Sequence, residues 1–296
     1  MLAAVVAGGV LTVAACSTST SGDSSSTPAA ATSPTAAATG EDSSPVDASG
    51  VVEHVHNLAL DLNTLYLGTH EGLFRQAPGQ ALTRVSNEPF DVMGLTQSGE
   101  TWFASGHPAA GSDGPPDLGL IASQDRGETW SPIALSGTVD FHRLTSSGNT
   151  LLGVSAHDGT LMRSTDFGKT WTTISSTPPF DVALDPLDPS VVVATTPDGP
   201  TASNDAGDTF SPIAGAPLIA LLAWDGGDLY GVDPGGQVLV SRDSGQTWTP
   251  RGSVGAEPIA LAAQDGRLAV LAGGTIYFST DAGQTFTPRI TGLAGH

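Results

Sequence analysis

From residue 51 to the end of the chain, apolar and polar residues alternate in short runs separated by clusters of Gly, Pro, Asp and Ser. HVHNLALD (54–61), TLYLGTH (64–70), GLFRQ (72–76) and ALTRVS (81–86) form a first set of four. DVMGLT, ETWFAS, LGLIASQD and ETWSPIAL (91–135) form a second, and IALLAWD, DLYGVD, QVLVSRD and QTWTPRG (219–252) repeat the arrangement further on. A period of two over so few residues, bounded by turn formers, predicts short strands joined as antiparallel hairpins. No stretch in this region carries the wider 3.6-residue period of an amphipathic helix.

The sets recur with a punctuation mark. SQDRGETW begins at Ser123, STDFGKTW at Ser164, SNDAGDTF at Ser203, SRDSGQTW at Ser241 and STDAGQTF at Ser279, at spacings of 38 to 41 residues. A near-constant period of this length marks a repeat architecture. Turn chemistry accounts for each position in S-x-D-x-G-x-T-(W/F). The Asp (Asp125, Asp166, Asp205, Asp243, Asp281) accepts from backbone N–H groups of its own turn. The Gly supplies a positive φ, and the aromatic folds back as a plug. These five aspartates therefore read as structural. The motif resembles the Asp-box, or BNR repeat, of sialidase-like β-propellers, and the resemblance covers nearly all of residues 51–296. It implies an all-β fold, a six-bladed propeller of four-stranded antiparallel blades, with a seventh, degenerate blade left open. The first unit lacks a box, and no strand is evident in the sequence that would close the ring.

Composition narrows the function. Ten Lys and Arg stand against 30 Asp and Glu, a formal net charge of -20. A surface this acidic repels phosphate backbones, which excludes nucleic acid as a partner. Thirty-seven glycines and 21 prolines suit a turn-rich β protein. One cysteine leaves no internal disulfide, so burial must hold the fold, and the propeller is expected to be a monomer.

That cysteine ends the opening run MLAAVVAGGVLTVAAC. Val13-Ala14-Ala15-Cys16 resembles a bacterial lipobox, in which the cysteine is lipidated after cleavage of a signal peptide (residues 1–16); no Lys or Arg precedes the run, a departure from the usual pattern. Residues 17–50 follow with ten Ser, six Thr, seven Ala and one large aliphatic, Val46. Such a segment cannot bury enough apolar surface to offset its ordering entropy, and as a coil it spans about 30–35 Å. The expectation is a tether holding the propeller (51–296) off the outer side of a cell membrane, anchored through Cys16.

Candidate chemistry lies where the repeat breaks. With strands A to D running outward from the axis, strand A starts and B–C loops share one end of the propeller and the boxes occupy the other. His54 and His56 open strand A of the first unit; Asp91 and Met93 hold those places in the second, Asp140 and His142 in the third. His70, His107 and His157 end the three B strands. All six histidines other than His296 thus map to one end of the first three blades, overhung by the irregular loop 107–119 with Asp113 and Asp117. His54, His56, His70, Asp91, Met93, His107, Asp140 and His142 are the candidate ligand or metal set. Imidazole and carboxylate suit zinc, copper or iron, and a nearby Met favours copper. The residues alone leave open a plainer reading, a polar lining that bonds loops and water.

The sialidase resemblance implies three arginines on a substrate carboxylate, a Tyr–Glu nucleophile pair and a Phe/Tyr-Arg-Ile-Pro motif. The motif is absent, and of the nine arginines only Arg143 belongs to an inner strand, so a true sialidase is not expected. HVHNLALD, THEGLFR, DVMGLT, ASGHP with DLGLI, and VDFHRL are similar to bacterial secreted BNR-repeat lipoproteins labelled glycosyl hydrolases. That resemblance implies a glycoside hydrolase with a carbohydrate ligand, for which Asp91 and Asp140 are the one candidate carboxylate pair. A third alternative is a non-catalytic assembly scaffold with a protein partner.

Overall fold

A computed structural model describes residues 44–86, 89–175 and 178–293. Cys16, the signal segment and most of the tether lie outside the described residues. All regular structure among the described residues is β-strand. A short β1 (Val46–Asp47) precedes six units of four. Blade 1 is β2 (Val55–Asp61), β3 (Thr64–Thr69), β4 (Gly72–Gln76) and β5 (Thr83–Arg84). Blade 2 is β6 (Phe90–Ser98), β7 (Thr101–Pro108), β8 (Leu120–Ser123) and β9 (Ser131–Ala134). Blade 3 is β10 (Phe141–Ser147), β11 (Thr150–Ser155), β12 (Leu161–Ser164) and β13 (Thr172–Ser175). Blade 4 is β14 (Asp181–Leu184), β15 (Val192–Thr196), β16 (Gly199–Ser203) and β17 (Ser211–Pro212). Blade 5 is β18 (Leu221–Asp225), β19 (Asp228–Val232), β20 (Gln237–Ser241) and β21 (Thr249–Ser253). Blade 6 is β22 (Pro258–Gln264), β23 (Arg267–Ala272), β24 (Thr275–Ser279) and β25 (Thr287–Thr291).

Each unit is an antiparallel sheet in chain order, and the innermost strands β2, β6, β10, β14, β18 and β22 touch in sequence, with β22 returning to β2. The ring has six blades; no seventh is present among the described residues. Apolar faces of adjacent blades bury against one another, as where Leu60, Leu65 and Leu67 of blade 1 meet Ala262, Ala269 and Leu271 of blade 6. The closing strand invisible in the sequence is β1, which runs parallel to β25 with Val46 opposite Ile290 and Asp47 opposite Thr291. Val46 and Asp47 thus belong to the propeller although their composition resembles the tether's, and Ala48 beside them is fully buried.

The five boxes adopt one geometry. In the second blade, Ser123 Oγ accepts from Gly127 N at 2.8 Å and donates to Asp125 Oδ1 at 2.7 Å. Asp125 Oδ1 accepts from Thr129 N at 2.9 Å and Oδ2 from Thr129 Oγ1 at 2.6 Å. The same four bonds recur around Asp166, Asp205, Asp243 and Asp281. The residue before each Gly is also left-handed, at φ 55–60° in Arg126, Phe167, Ala206, Ser244 and Ala282. Two consecutive left-handed residues reverse the chain inside the long loop between the third and fourth strands of the blade, as from Ser123 to Ser131 in the second. The Gly is needed twice over at Gly168, where φ is 81° and an added Cβ would lie 2.0 Å from Leu120 Cδ2 of the preceding blade. Blade 1 replaces its missing box with Gln76, whose amide donates to the carbonyls of Ala77 and Gln80. Arg289 of blade 6 caps that substitute, bonding Gln76 Oε1 at 2.6 Å and Gln76 O at 3.0 Å across the ring seam.

Hydrogen bonds from Thr and Ser hold the carboxyls of Asp125, Asp166 and Asp205 down to about 2. A carboxylate whose folded pKa lies below its unfolded value, about 3.9, stabilises the fold above that value and loses the contribution as pH falls through the folded pKa. Asp166→Asn is therefore expected to melt below the wild type at neutral pH, with the gap closing as pH falls from about 4 toward 2. Thermal melts across that window check this; a gap constant with pH would contradict it.

Candidate functional site

The three histidine-bearing blades deliver their side chains to one end through the same backbone device. The pairing of β2 with β3 steps from Val55–Thr69 to Asn57–Gly68, leaving His56 as an extra residue. The pairing of β6 with β7 leaves out Met93, that of β10 with β11 His142, and that of β22 with β23 Ile259. A bulge kinks the strand and re-aims its side chain, and here it turns the second strand A position toward the channel mouth. Gly106 lets β6 and β7 close on each other beneath this point, since a Cβ there would fall 1.8 Å from Asp91 O.

Two histidine–aspartate knots result. In the first, Asp91 faces His70 Nδ1 at 2.8 Å through Oδ2 and His56 Nε2 at 3.5 Å through Oδ1. The His56 and His70 rings meet edge to face at 4.5 Å, and His54 packs the same way on His70 at 5.1 Å. One ligand atom from each of His56, His70 and Asp91 can be chosen so that all lie within 4.8 Å of one another. Burial pushes the Asp91 carboxyl up, but the nearby His56 and His70 rings outweigh it and hold it below the usual carboxylate range.

The second knot centres on Asp140, which is 2% exposed. Its Oδ2 lies 2.7 Å from His142 Nε2 and 3.2 Å from His107 Nε2. His107 Nδ1 donates to Pro116 O at 3.0 Å and faces Asp117 Oδ1 at 3.4 Å, while Asp117 Oδ2 meets His157 Nε2 at 3.1 Å. Both His107 nitrogens thus point at acceptors, which suits the doubly protonated ring. Desolvation lowers its pKa, but the Pro116 carbonyl and the charges of Asp140, Asp91 and Asp117 win and raise it above 6.5. This knot clasps the 107–119 loop over blades 2 and 3.

Between the knots and the opposite blades lies a cavity of about 590 Å³, lined on one side by His56, Met93, His142 and Arg143. Arg143 lies 3.5 Å from Asp181, whose carboxyl burial pushes up despite the guanidinium. Of the candidate set, His56, His70 and Asp91 converge with His54 beside them. Met93 lines the cavity, and His107, Asp140 and His142 form the separate clasp. Asp91 and Asp140 each serve as acceptors for two histidines rather than standing free in the cavity. The sequence pattern had not singled out Asp181 or the pairing of Asp117 with His157. Phe-Asp-Val at 90–92 recurs at 180–182, and that echo is the signal for Asp181.

Residues 162–173, which contain the blade 3 box, match the BNR/Asp-box repeat family. No curated protein matches the chain by sequence. Among solved structures the chain is similar to a component of the nidogen/laminin complex, at 11% identity and a TM-score of 0.59 over 77% of this chain and 92% of that one. It is also similar to an ancestral GH74 enzyme, at 16% identity and a TM-score of 0.52 over 80% of this chain and 38% of that one. At these identities the likeness is one of fold.

His107 is expected to titrate above 6.5 by NMR, and Asp117→Asn to lower its pKa. A group raised on folding stabilises below its unfolded pKa and loses that contribution as pH rises through the folded value. Amide protection in the 107–119 loop, corrected for intrinsic exchange, should therefore decline as pH rises through the raised His107 pKa, and a pH-independent protection would contradict the clasp.

Proposed function

We propose that this six-bladed propeller with BNR/Asp-box repeats is a lipid-anchored, extracytoplasmic protein that binds a divalent transition-metal ion, zinc or copper, at His56, His70 and Asp91. The observation that carries the reading is the convergence of three ligand atoms, from three separate chain segments, within 4.8 Å of one another. Two imidazoles and a carboxylate are a donor set suited to such ions, with coordination positions left over. His54, packed on His70, limits how the His70 ring can turn. An acidic chain favours cation approach. The glycosidase alternative lacks a comparable observation. It needs two carboxyls free to flank a bound glycoside, and Asp91 and Asp140 are each engaged by two histidines rather than standing free in the cavity.

Isothermal titration of the full chain with zinc and copper is the test. Outer-shell losses cost about 10–100-fold in metal affinity, so His70→Ala and Asp91→Asn, which remove ligands, are expected to cost at least that without unfolding the ring. Because the imidazoles must be neutral to bind, wild-type affinity should fall as the solution is made acidic. Binding weaker than about millimolar, or unchanged in both variants, would end the proposal. The anchor is tested separately. Cys16→Ser is expected to move the protein from the membrane fraction to the soluble extracytoplasmic fraction, or to leave uncleaved precursor at the membrane. Wild-type protein in the cytosol would refute it.

A further inference from the structure

The cavity beside His56 has two unlike sides. Blades 1 to 3 contribute imidazole, thioether and guanidinium groups, whereas blades 4 to 6 contribute Phe180, Leu218, Ile219, Leu221, Pro258 and Ile259. No Ser, Thr, Asn, Gln, Tyr or Trp lines it. A sugar lying along that wall would bring many hydroxyls to a surface whose one polar side chain is Glu257, and each buried unpaired hydroxyl is costly. Phe180 and Leu218 are 57% and 48% exposed and lie together on the same side of the cavity, where they form a shared apolar lip. A volume of about 590 Å³ is in the range of small-molecule sites.

We infer that the mouth receives a small organic carboxylate with an apolar body, whose head completes the coordination of the ion at His56, His70 and Asp91. This rests on the metal reading above. Three protein ligands leave positions open on a divalent ion, and His56 is at once a ligand and part of the cavity wall. A divalent ion beside one Asp91 carboxylate leaves local positive charge for the head, while Arg143 on the same side of the cavity lies 3.5 Å from Asp181, which balances it. Glu257 stands on the apolar side, where it repels an anionic head and orients it toward the ion. The body then lies against the wall of blades 4 to 6, removing that exposed apolar surface from water.

The experiment is calorimetric titration of the zinc-loaded full chain with 4-phenylbutanoate, acetate, 4-phenylbutan-1-ol and cellobiose. 4-Phenylbutanoate is expected to bind about tenfold or more tighter than acetate, because of the buried ring, and tighter than the alcohol by a similar factor, because of the head. Phe180→Ser with Leu218→Ser should reduce the preference over acetate to within about threefold while zinc affinity is unchanged; both side chains are exposed, so the ring still folds. Zinc binding with equal affinity for phenylbutanoate and acetate, or with cellobiose the tighter ligand, overturns this inference and leaves the metal site standing. Failure of zinc and copper to bind at all overturns both.

Discussion

The carboxylate–hydroxyl lock at the foot of the outer hairpin in five of the six blades is the interaction on which the propeller depends. Asp and Ser of the box together hold two consecutive left-handed residues, a conformation that costs a non-glycine residue about 1–2 kcal/mol and so needs a partner to persist. Once formed, the turn presents a bare glycine to the neighbouring blade, and a Leu or Ile side chain fills the space a Cβ would take, as Leu120 does at Gly168. Turn chemistry and packing between blades are therefore one constraint. That is why Ser, Asp, Gly and Thr recur together at each box while the residues between them vary.

The seam obeys different physics because blade 1 has no box. There Gln76 turns its amide back on the hairpin carbonyls, and Arg289 from the last strand binds Gln76 and stacks over Phe278 at 4.4 Å. The ring is completed by two residues of β1 added to the free edge of β25, which removes unpaired backbone groups from that edge. Closure thus joins residues more than 200 positions apart.

Stapling the outer hairpins at one end, five by boxes and one by Gln76, leaves the other end free to differ from blade to blade. Bulges at His56, Met93, His142 and Ile259 are equivalent in the repeat but carry an imidazole, a thioether, an imidazole and an alkyl group. One backbone device therefore builds a mouth with a titratable half and an apolar half. The titratable half is divided again by its aspartates. Asp91 gathers His56 and His70 into a compact set of donors, and Asp140, buried between His107 and His142, spends its charge on fastening a loop.

Much of this was legible in the linear chain. Turn chemistry is local, so five boxes at a constant period announce hairpins, and the hairpins announce an all-β ring; the placing of six histidines at one end followed from strand order alone. What the chain could not disclose was settled by contacts between distant residues. Val46 and Asp47 look like tether because two residues carry no period, and they become a strand only where β25 offers an edge. His107 and His56 look alike in sequence, yet one is a clasp and the other a ligand candidate, because bulges and loops decide which aspartate each ring reaches. Asp181 was hidden because its partner, Arg143, lies on another blade. Local hydrogen bonding is written in adjacent residues, and so the sequence by itself determined the blades; the meeting of side chains at the mouth depends on curvature summed around a closed ring, and only the tertiary structure decided it.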